Sequence, residues 1–83
     1  PADQVVMQKD EKVFINKTCL VFKGLHNGNI NIELYVLEFD PDIPYPFSFN
    51  KKSFRDGVWL DNLFYKLVSV KKNKLHLRIQ GSK

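Results

Sequence analysis

The feature that most constrains the fold is an Asn-Gly pair between two segments that alternate apolar and polar residues. Residues 18–39, TCLVFKGLHNGNINIELYVLEF, place Asn27-Gly28 at the centre of these segments. A two-residue type I′ turn needs positive φ at both central positions, and Asn-Gly is a preferred pair for that turn. The sequence therefore predicts an antiparallel hairpin that turns at these two residues.

The register of this hairpin follows from counting outward from the turn. Cys19 then lies opposite Val36, and seven apolar residues share one face with Lys23 at its rim. Leu20 and Phe22 fall on the other face. A slip by one residue would exchange the two faces, so the alternation itself favours this register.

A second hairpin is predicted for residues 63–80, LFYKLVSVKKNKLHLRIQ. With Lys72-Asn73 at the turn, apolar residues again alternate with polar ones, as in an antiparallel sheet with one solvated side. A four-residue loop is the alternative, because Lys72 adopts positive φ less readily than Gly. In this register Lys66 lies opposite Ile79.

Residues 59–68, WLDNLFYKLV, also allow a short helix near 60–68. Asp61 could cap such a helix, and the apolar residues that follow it could share one helical face. The Val-rich continuation into the second hairpin favours a strand instead, so the helix is kept as the alternative.

These patterns predict an all-β, mainly antiparallel fold: a small five- to six-stranded barrel or sandwich, comparable in size to OB-like or SH3-like barrels. Residues 11–80 are predicted to form a single β-domain, with 1–10 as a flexible lead-in in which residues 5–7 could form an edge strand, and with 81–83 as a tail. A chain of 83 residues has room for only one modest core. The polar ends suggest a fragment of a larger protein.

The cysteine content and the short apolar runs exclude several classes of protein. Cys19 is the only cysteine, which rules out an intramolecular disulfide and a zinc ribbon. This favours an intracellular location, in cytoplasm or nucleus, although a secreted chain without disulfides also fits. No apolar run approaches the roughly 20 residues that span a bilayer.

The residues that could support catalysis are few and scattered. Cys19 is predicted in mid-strand facing the core, His26 beside a turn, and His76 on the polar side of a strand. Asp40 and Asp42 lack the ligand spacing and the glycine of a calcium loop. The chain is therefore predicted not to be an enzyme and to need no metal or cofactor.

The charge distribution suggests a nucleic-acid interface. The net charge is +4, and most of the basic excess lies after residue 50. Small β-barrels that bind single strands combine basic grooves with aromatic rings that stack on bases. The candidate contacts for nucleic acid or another partner are Lys51, Lys52, Arg55, Lys71, Lys72, Lys74, Tyr45 and Phe54.

A protein partner is the competing interpretation. Residues 40–46, DPDIPYP, contain three prolines that hold the chain extended. Such a stiff apolar segment could dock on another protein or cover an open end of the barrel. Because small β-domains without catalytic groups commonly bind proteins, a protein-protein interaction or structural module ranks first. Binding of single-stranded DNA or RNA is the alternative.

Overall fold

The computed structural model describes residues 3–83, which form eight strands and one short helix. In chain order they are β1 (Gln4–Gln8), β2 (Lys12–Ile15), β3 (Thr18–His26), β4 (Asn29–Val36), β5 (Asp40–Phe49), α1 (Lys51–Asp56), β6 (Val58–Leu60), β7 (Leu63–Lys71) and β8 (Lys74–Ser82). The predicted all-β class is confirmed. The predicted count of five or six strands is too low, because sequence patterns do not separate short strands such as β2 and β6 from turns.

The strands form two antiparallel sheets that are not closed into a barrel. Sheet A has the order β1-β8-β7-β6, and sheet B has the order β2-β3-β4-β5. The inner faces of both sheets contribute to one hydrophobic core, as in a sandwich. Its largest fully buried side chains are those of Tyr65, Phe22, Phe54, Met7, Leu20, Ile30, Ile32, Leu60, Leu75 and Leu77.

The first hairpin turns where the sequence predicts, but its register changes part-way along β3. Near the turn Gly24 lies opposite Asn31, as predicted. Beyond it the register shifts by one residue, so that Phe22 lies opposite Ile32 and Lys23 is left unpaired in a β-bulge. Gly24 adopts φ +97°, a conformation that glycine accepts without steric cost.

This bulge reverses the predicted faces of β3. Leu20 and Phe22 are fully buried in the core between the sheets, whereas the prediction placed them on the opposite face. Cys19 and Val21 alternate with them and therefore lie on the outer side of sheet B. Both are still buried, and Cys19 lies beside Phe14 and Tyr35 on that side.

The second hairpin shows the same kind of change. Its turn is at the predicted position, but the register shifts between Leu67 and Ser69, which leaves Val68 as an extra, exposed residue. Beyond the bulge Lys66 lies opposite Arg78, so the predicted pairing of Lys66 with Ile79 is wrong. The shift moves Lys66 from the core side to the solvent side of sheet A.

The short helix lies at a different place from the predicted alternative. Residues 60–68 end β6 and begin β7, so the prediction of a helix there is wrong. α1 instead begins after Asn50, whose side-chain oxygen accepts a hydrogen bond from the Ser53 amide at 2.7 Å. The helix connects an edge strand of sheet B to an edge strand of sheet A and buries Phe54 completely.

The described parts of both chain ends belong to the sheets. The predicted lead-in at 1–10 contains β1, which pairs with β8 and buries Met7 completely. Residues 1 and 2 of that lead-in lie outside the described residues. In the predicted tail at 81–83, Gly81 pairs with Phe64 and β8 continues to Ser82. The ladder hydrogen bonds with β8 therefore extend the domain beyond the predicted bounds.

Three of the four prolines lie on β5, an edge strand of sheet B: Pro41, Pro44 and Pro46. Pro46 lies opposite Glu33. Because its backbone nitrogen carries no hydrogen for the ladder with β4, that nitrogen faces the free edge of the sheet. Pro44 lies two residues earlier on the same strand and also lacks an N–H. Prolines on a free edge hinder pairing with another chain.

Replacing both Pro44 and Pro46 with Thr is expected to promote self-association. The change supplies two backbone donors on an exposed edge, which can then pair with a second copy. Sedimentation velocity over a range of concentrations measures the effect, with Ser48→Thr as the control because Ser48 already has its N–H. A double variant as monomeric as this control would show that the prolines do not protect the edge.

Candidate nucleic-acid interface

The outer face of sheet A is basic. Strands β1, β6, β7 and β8, all within the described residues, contain no Asp or Glu. They carry four basic residues, which are Lys66, Lys71, Lys74 and Arg78. Sheet B differs, since its strands include Glu33, Asp40 and Asp42. We call the outer surface of sheet A around these four basic residues the basic face.

The basic face contains two pairs of like charges, and the two members of each pair lie directly opposite each other on β7 and β8. Lys66 pairs with Arg78, and Lys71 pairs with Lys74. Like charges opposite each other on neighbouring strands are destabilising. Within residues 3–83, none of these four side chains forms an ion pair. The lysines that do form ion pairs are Lys17, Lys23 and Lys52. The repulsion is therefore not offset inside the domain, and an anion could relieve it.

Polar side chains separate the two like-charge pairs. His76 lies between Lys74 and Arg78 on β8, and its ring hydrogen bonds with the side-chain oxygen of Gln4 on β1. Alternation along the strands places these groups on the solvent side, opposite the buried Leu75 and Leu77. The centre of the basic face therefore offers hydrogen-bonding groups as well as positive charge.

An aromatic pair lies at the other end of the basic face. Trp59 on β6 is 46% exposed, and its ring centroid lies 5.0 Å from that of Phe64 on β7. The Phe64 ring occupies the space next to Gly57 that a Cβ would fill. The Lys83 ammonium lies 5.2 Å from the Trp59 ring centroid, a contact worth about 0.5–1 kcal/mol at an exposed site. A ligand that stacks more strongly could displace it.

The predicted contacts in the second hairpin are continuous with the basic face. Lys71, Lys72 and Lys74 are exposed and lie at the β7–β8 turn. This turn lies close to sheet B, because a Cβ on Gly24 would be 3.9 Å from the Lys72 carbonyl oxygen. The three lysines therefore extend the basic face to that end of the sandwich.

The predicted contacts at 51–55 lie on α1. Lys51, Lys52 and Arg55 are exposed, and the helix packs against β7. β6 begins opposite Tyr65, so the helix that precedes it lies along the part of β7 that leads to the lysine-rich turn. Lys52 also forms an exposed ion pair with Asp56 at 3.7 Å, which contributes little in solvent.

Neither of the two predicted aromatic contacts, Phe54 and Tyr45, is exposed beside these basic residues. Phe54 is fully buried, so its ring cannot stack on a base and its predicted role as a contact is not retained. Tyr45 is exposed but lies on β5 of sheet B. Its hydroxyl donates a hydrogen bond to Asp40 Oδ2 at 2.6 Å, and this bond raises the pKa of Tyr45.

Sequence reasoning missed Trp59 and the pairing of Lys66 with Arg78. In the sequence Trp59 only begins the helix-or-strand segment 59–68, and the bulge at Val68 has no signature in the alternation. One available signal was that residues 62–83 contain no Asp or Glu. A hairpin with basic residues and no carboxylate predicts a basic surface in any register.

The groups considered for catalysis are far from a reactive arrangement. Cys19 is buried on the outer side of sheet B, and burial raises the pKa of its thiol. His26 is exposed at the first turn. Among residues 3–83 no group of His, Cys, Asp and Glu side chains is arranged to hold a metal ion.

A cleft of about 620 Å³ opens at the end of the sandwich away from the lysine-rich turn. It lies between the turns that connect β2 to β3, β4 to β5 and β6 to β7. Its walls include Leu60 and Val36, and its rim holds the ion pair between Lys17 and Glu38 at 2.9 Å. The cleft offers apolar surface with a mixed polar rim, without the uniform charge of the basic face.

In comparisons with known proteins, no family model, curated protein or solved structure matches this chain. Function must therefore be argued from the residues of the site. Within residues 3–83, no helix has the length and apolarity needed to cross a membrane.

Proposed function

We propose that this chain is a non-catalytic binding module whose basic face binds nucleic acid. The observation that carries the proposal is the like-charge pair of Lys66 and Arg78 on a sheet whose strands contain no Asp or Glu. Phosphate groups between these side chains would convert the repulsion into attraction and release counterions. An intracellular location, as predicted from the sequence, is consistent with such a ligand.

The number of basic groups sets the expected salt dependence. Five of them line the basic face and its turn, which are Lys66, Lys71, Lys72, Lys74 and Arg78. With one phosphate each, the slope of log K against log salt for a single strand is about −3.5. The affinity should then fall about 100-fold between about 50 and 200 mM salt.

Fluorescence anisotropy with a labelled oligonucleotide about 12 nucleotides long tests the proposal. Lys66→Gln combined with Arg78→Gln should weaken binding and make the salt slope shallower by about 1.4, because two phosphate contacts are lost. The matched control is Lys12→Gln combined with Lys17→Gln, which lowers the net charge equally on the sheet B side of the molecule. This control should keep the wild-type slope.

Two results would contradict the proposal. One is the absence of binding to DNA and RNA at about 50 mM salt, where phosphate contacts are strong. The other is an equal loss of affinity in both double variants, since that would reflect net charge and not the basic face. Circular dichroism of each variant confirms that the sheets remain folded.

A protein partner remains the second candidate, because sheet B has an exposed apolar patch on its outer side. Phe14 on β2 is 65% exposed and borders a shallow pocket of about 60 Å³ together with Tyr35, Leu37 and Pro41. Apolar residues with an aromatic at the centre are typical of protein interfaces.

Cross-linking followed by mass spectrometry, in the cells that make the protein, tests this second candidate. A protein that cross-links to the wild type and to Val68→Ser but not to Phe14→Ser would support it. Val68 is the matched control because it is also an exposed apolar residue, on the other sheet. If the wild type, Val68→Ser and Phe14→Ser all cross-link to the same proteins, the patch around Phe14 is not the binding surface.

A further inference from the structure

We propose that the basic face binds a single strand and that one unpaired base stacks on Trp59. This inference rests on the proposed function and specifies its ligand. Trp59 is held by a neighbouring ring, is open to solvent, and lies at one end of a row of positive charges. These three properties together indicate that a base can stack on Trp59 at one end of a surface that binds a single nucleic-acid strand.

The support beneath Trp59 restricts its ring. The Phe64 ring lies beside it with an interplanar angle of 51°, and the Phe64 ring is itself packed into the space at Gly57. A ring held in this way loses little freedom when a base stacks on it, so less of the binding free energy is lost. The exposed Lys83 side chain over the ring can move aside and contact a phosphate.

The distance from the aromatic pair to the first basic pair suits adjacent nucleotides. Phe64 lies directly opposite Trp59, and Lys66 follows two residues later on the same face of β7. This separation is about 7 Å along the strand and about 4.8 Å across to β6. A base on Trp59 and a phosphate next to Lys66 can therefore belong to neighbouring positions of one strand.

The rest of the bound nucleic-acid strand would follow β7 and β8 towards the lysine-rich turn. On β7 the next basic group after Lys66 is Lys71, five residues further on, which forms the second like-charge pair with Lys74. Inside a duplex the bases are stacked on one another and their faces are covered, so a duplex offers only its terminal base pairs to the aromatic position. The aromatic end therefore favours single strands, while the charges alone would accept either form.

The protein reports on this contact directly, because Trp59 is its only tryptophan. Oligothymidylate or oligouridylate of about 12 nucleotides should quench its fluorescence on binding. A duplex of the same length should bind at least about 5-fold more weakly at equal salt, since the stacking contact is missing.

Variants at Trp59 separate stacking from charge. Trp59→Leu should lower the affinity for the single strand about 5- to 150-fold, because the aromatic face is removed while apolar packing against Phe64 is kept. Its salt slope should stay that of the wild type, because no phosphate contact is removed. Trp59→Phe should recover part of the affinity, and Val68→Ala, an exposed position on the same sheet, should have no effect.

The outcomes distinguish this inference from the proposed function. Salt-dependent binding without quenching, or Trp59→Leu with wild-type affinity, would overturn the stacking contact and leave the basic face as the binding surface. Duplex affinity equal to single-strand affinity would also overturn it. The absence of any binding would overturn both proposals.

Discussion

Gly57→Ala is expected to lower the free energy of unfolding by about 2–6 kcal/mol, from two costs of about 1–3 kcal/mol each. Gly57 has φ +116° and ψ 142°, a backbone conformation that is almost exclusive to glycine. A Cβ at this position would also lie 2.0 Å from Phe64 Cζ, well inside contact distance. A chain of this length has only about 4–12 kcal/mol in total, so much of its stability would be lost.

Urea denaturation followed by circular dichroism measures this loss. Gly81→Ala is the matched control, because a Cβ there meets nothing within 4 Å and no positive φ is needed. Its stability should stay within about 0.5 kcal/mol of the wild type. A Gly57→Ala protein as stable as this control would contradict the strained backbone and the close contact together.

A double variant separates the two costs of Gly57→Ala. Combining it with Phe64→Ala removes the ring that the new Cβ would meet but leaves the backbone strain. Two changes in direct contact are not additive, so the difference from the sum of the single effects measures the steric part. The same pair matters to the binding proposal, because Phe64 is the ring that supports Trp59.

Phe54→Ala is expected to lower the free energy of unfolding by about 3–5 kcal/mol. Phe54 is fully buried, and its ring packs against that of Phe49 with centroids 5.1 Å apart. Truncation removes this packing and leaves a cavity where α1 joins the two sheets. The expected loss is a large part of the total stability, so the variant should unfold at a lower temperature and a lower urea concentration than the wild type.

The comparison with Phe39→Ala tests the assignment of Phe54 to the core. Phe39 is the same residue type but is 81% exposed, so its replacement should change the stability by less than about 0.5 kcal/mol. Thermal and urea unfolding of both variants provide the measurement. If Phe54→Ala cost less than about 1 kcal/mol, α1 would not be packed as described.

Local chemistry made much of the fold predictable. Asn27-Gly28 marks a turn because few residue pairs accept positive φ at both positions, and alternation marks strands because successive side chains point to opposite faces. The first hairpin turns there, with Asn27 at φ 53° and Gly28 at φ 80°. The turn at Lys72-Asn73 was located from the same alternation.

The β-bulges were not predictable from these patterns. A single extra residue at Lys23 and another at Val68 reverse the faces of the strand beyond them. The sequence around each bulge alternates acceptably in either register, and the packing of Leu20 and Phe22 against the opposite sheet favours one. That choice depends on residues far apart in the chain, so it has no local signature.

The candidate site was also predictable from the sequence only in part. The sequence showed a basic second half and correctly indicated the lysine-rich turn as exposed. It could not show that Lys66 and Arg78 lie side by side, because this depends on the bulge in β7. Nor could it show that Phe54 is buried while Trp59 is exposed, since both are aromatic residues near turns.

The sequence by itself determined an antiparallel all-β fold and the positions of its main turns, because backbone conformation and strand alternation depend on neighbouring residues. Only the tertiary structure decided the register beyond each bulge and the division of strands between sheets. It also decided which aromatic rings face solvent. These features depend on burying the largest apolar side chains from distant segments in one core, which is a property of the whole chain.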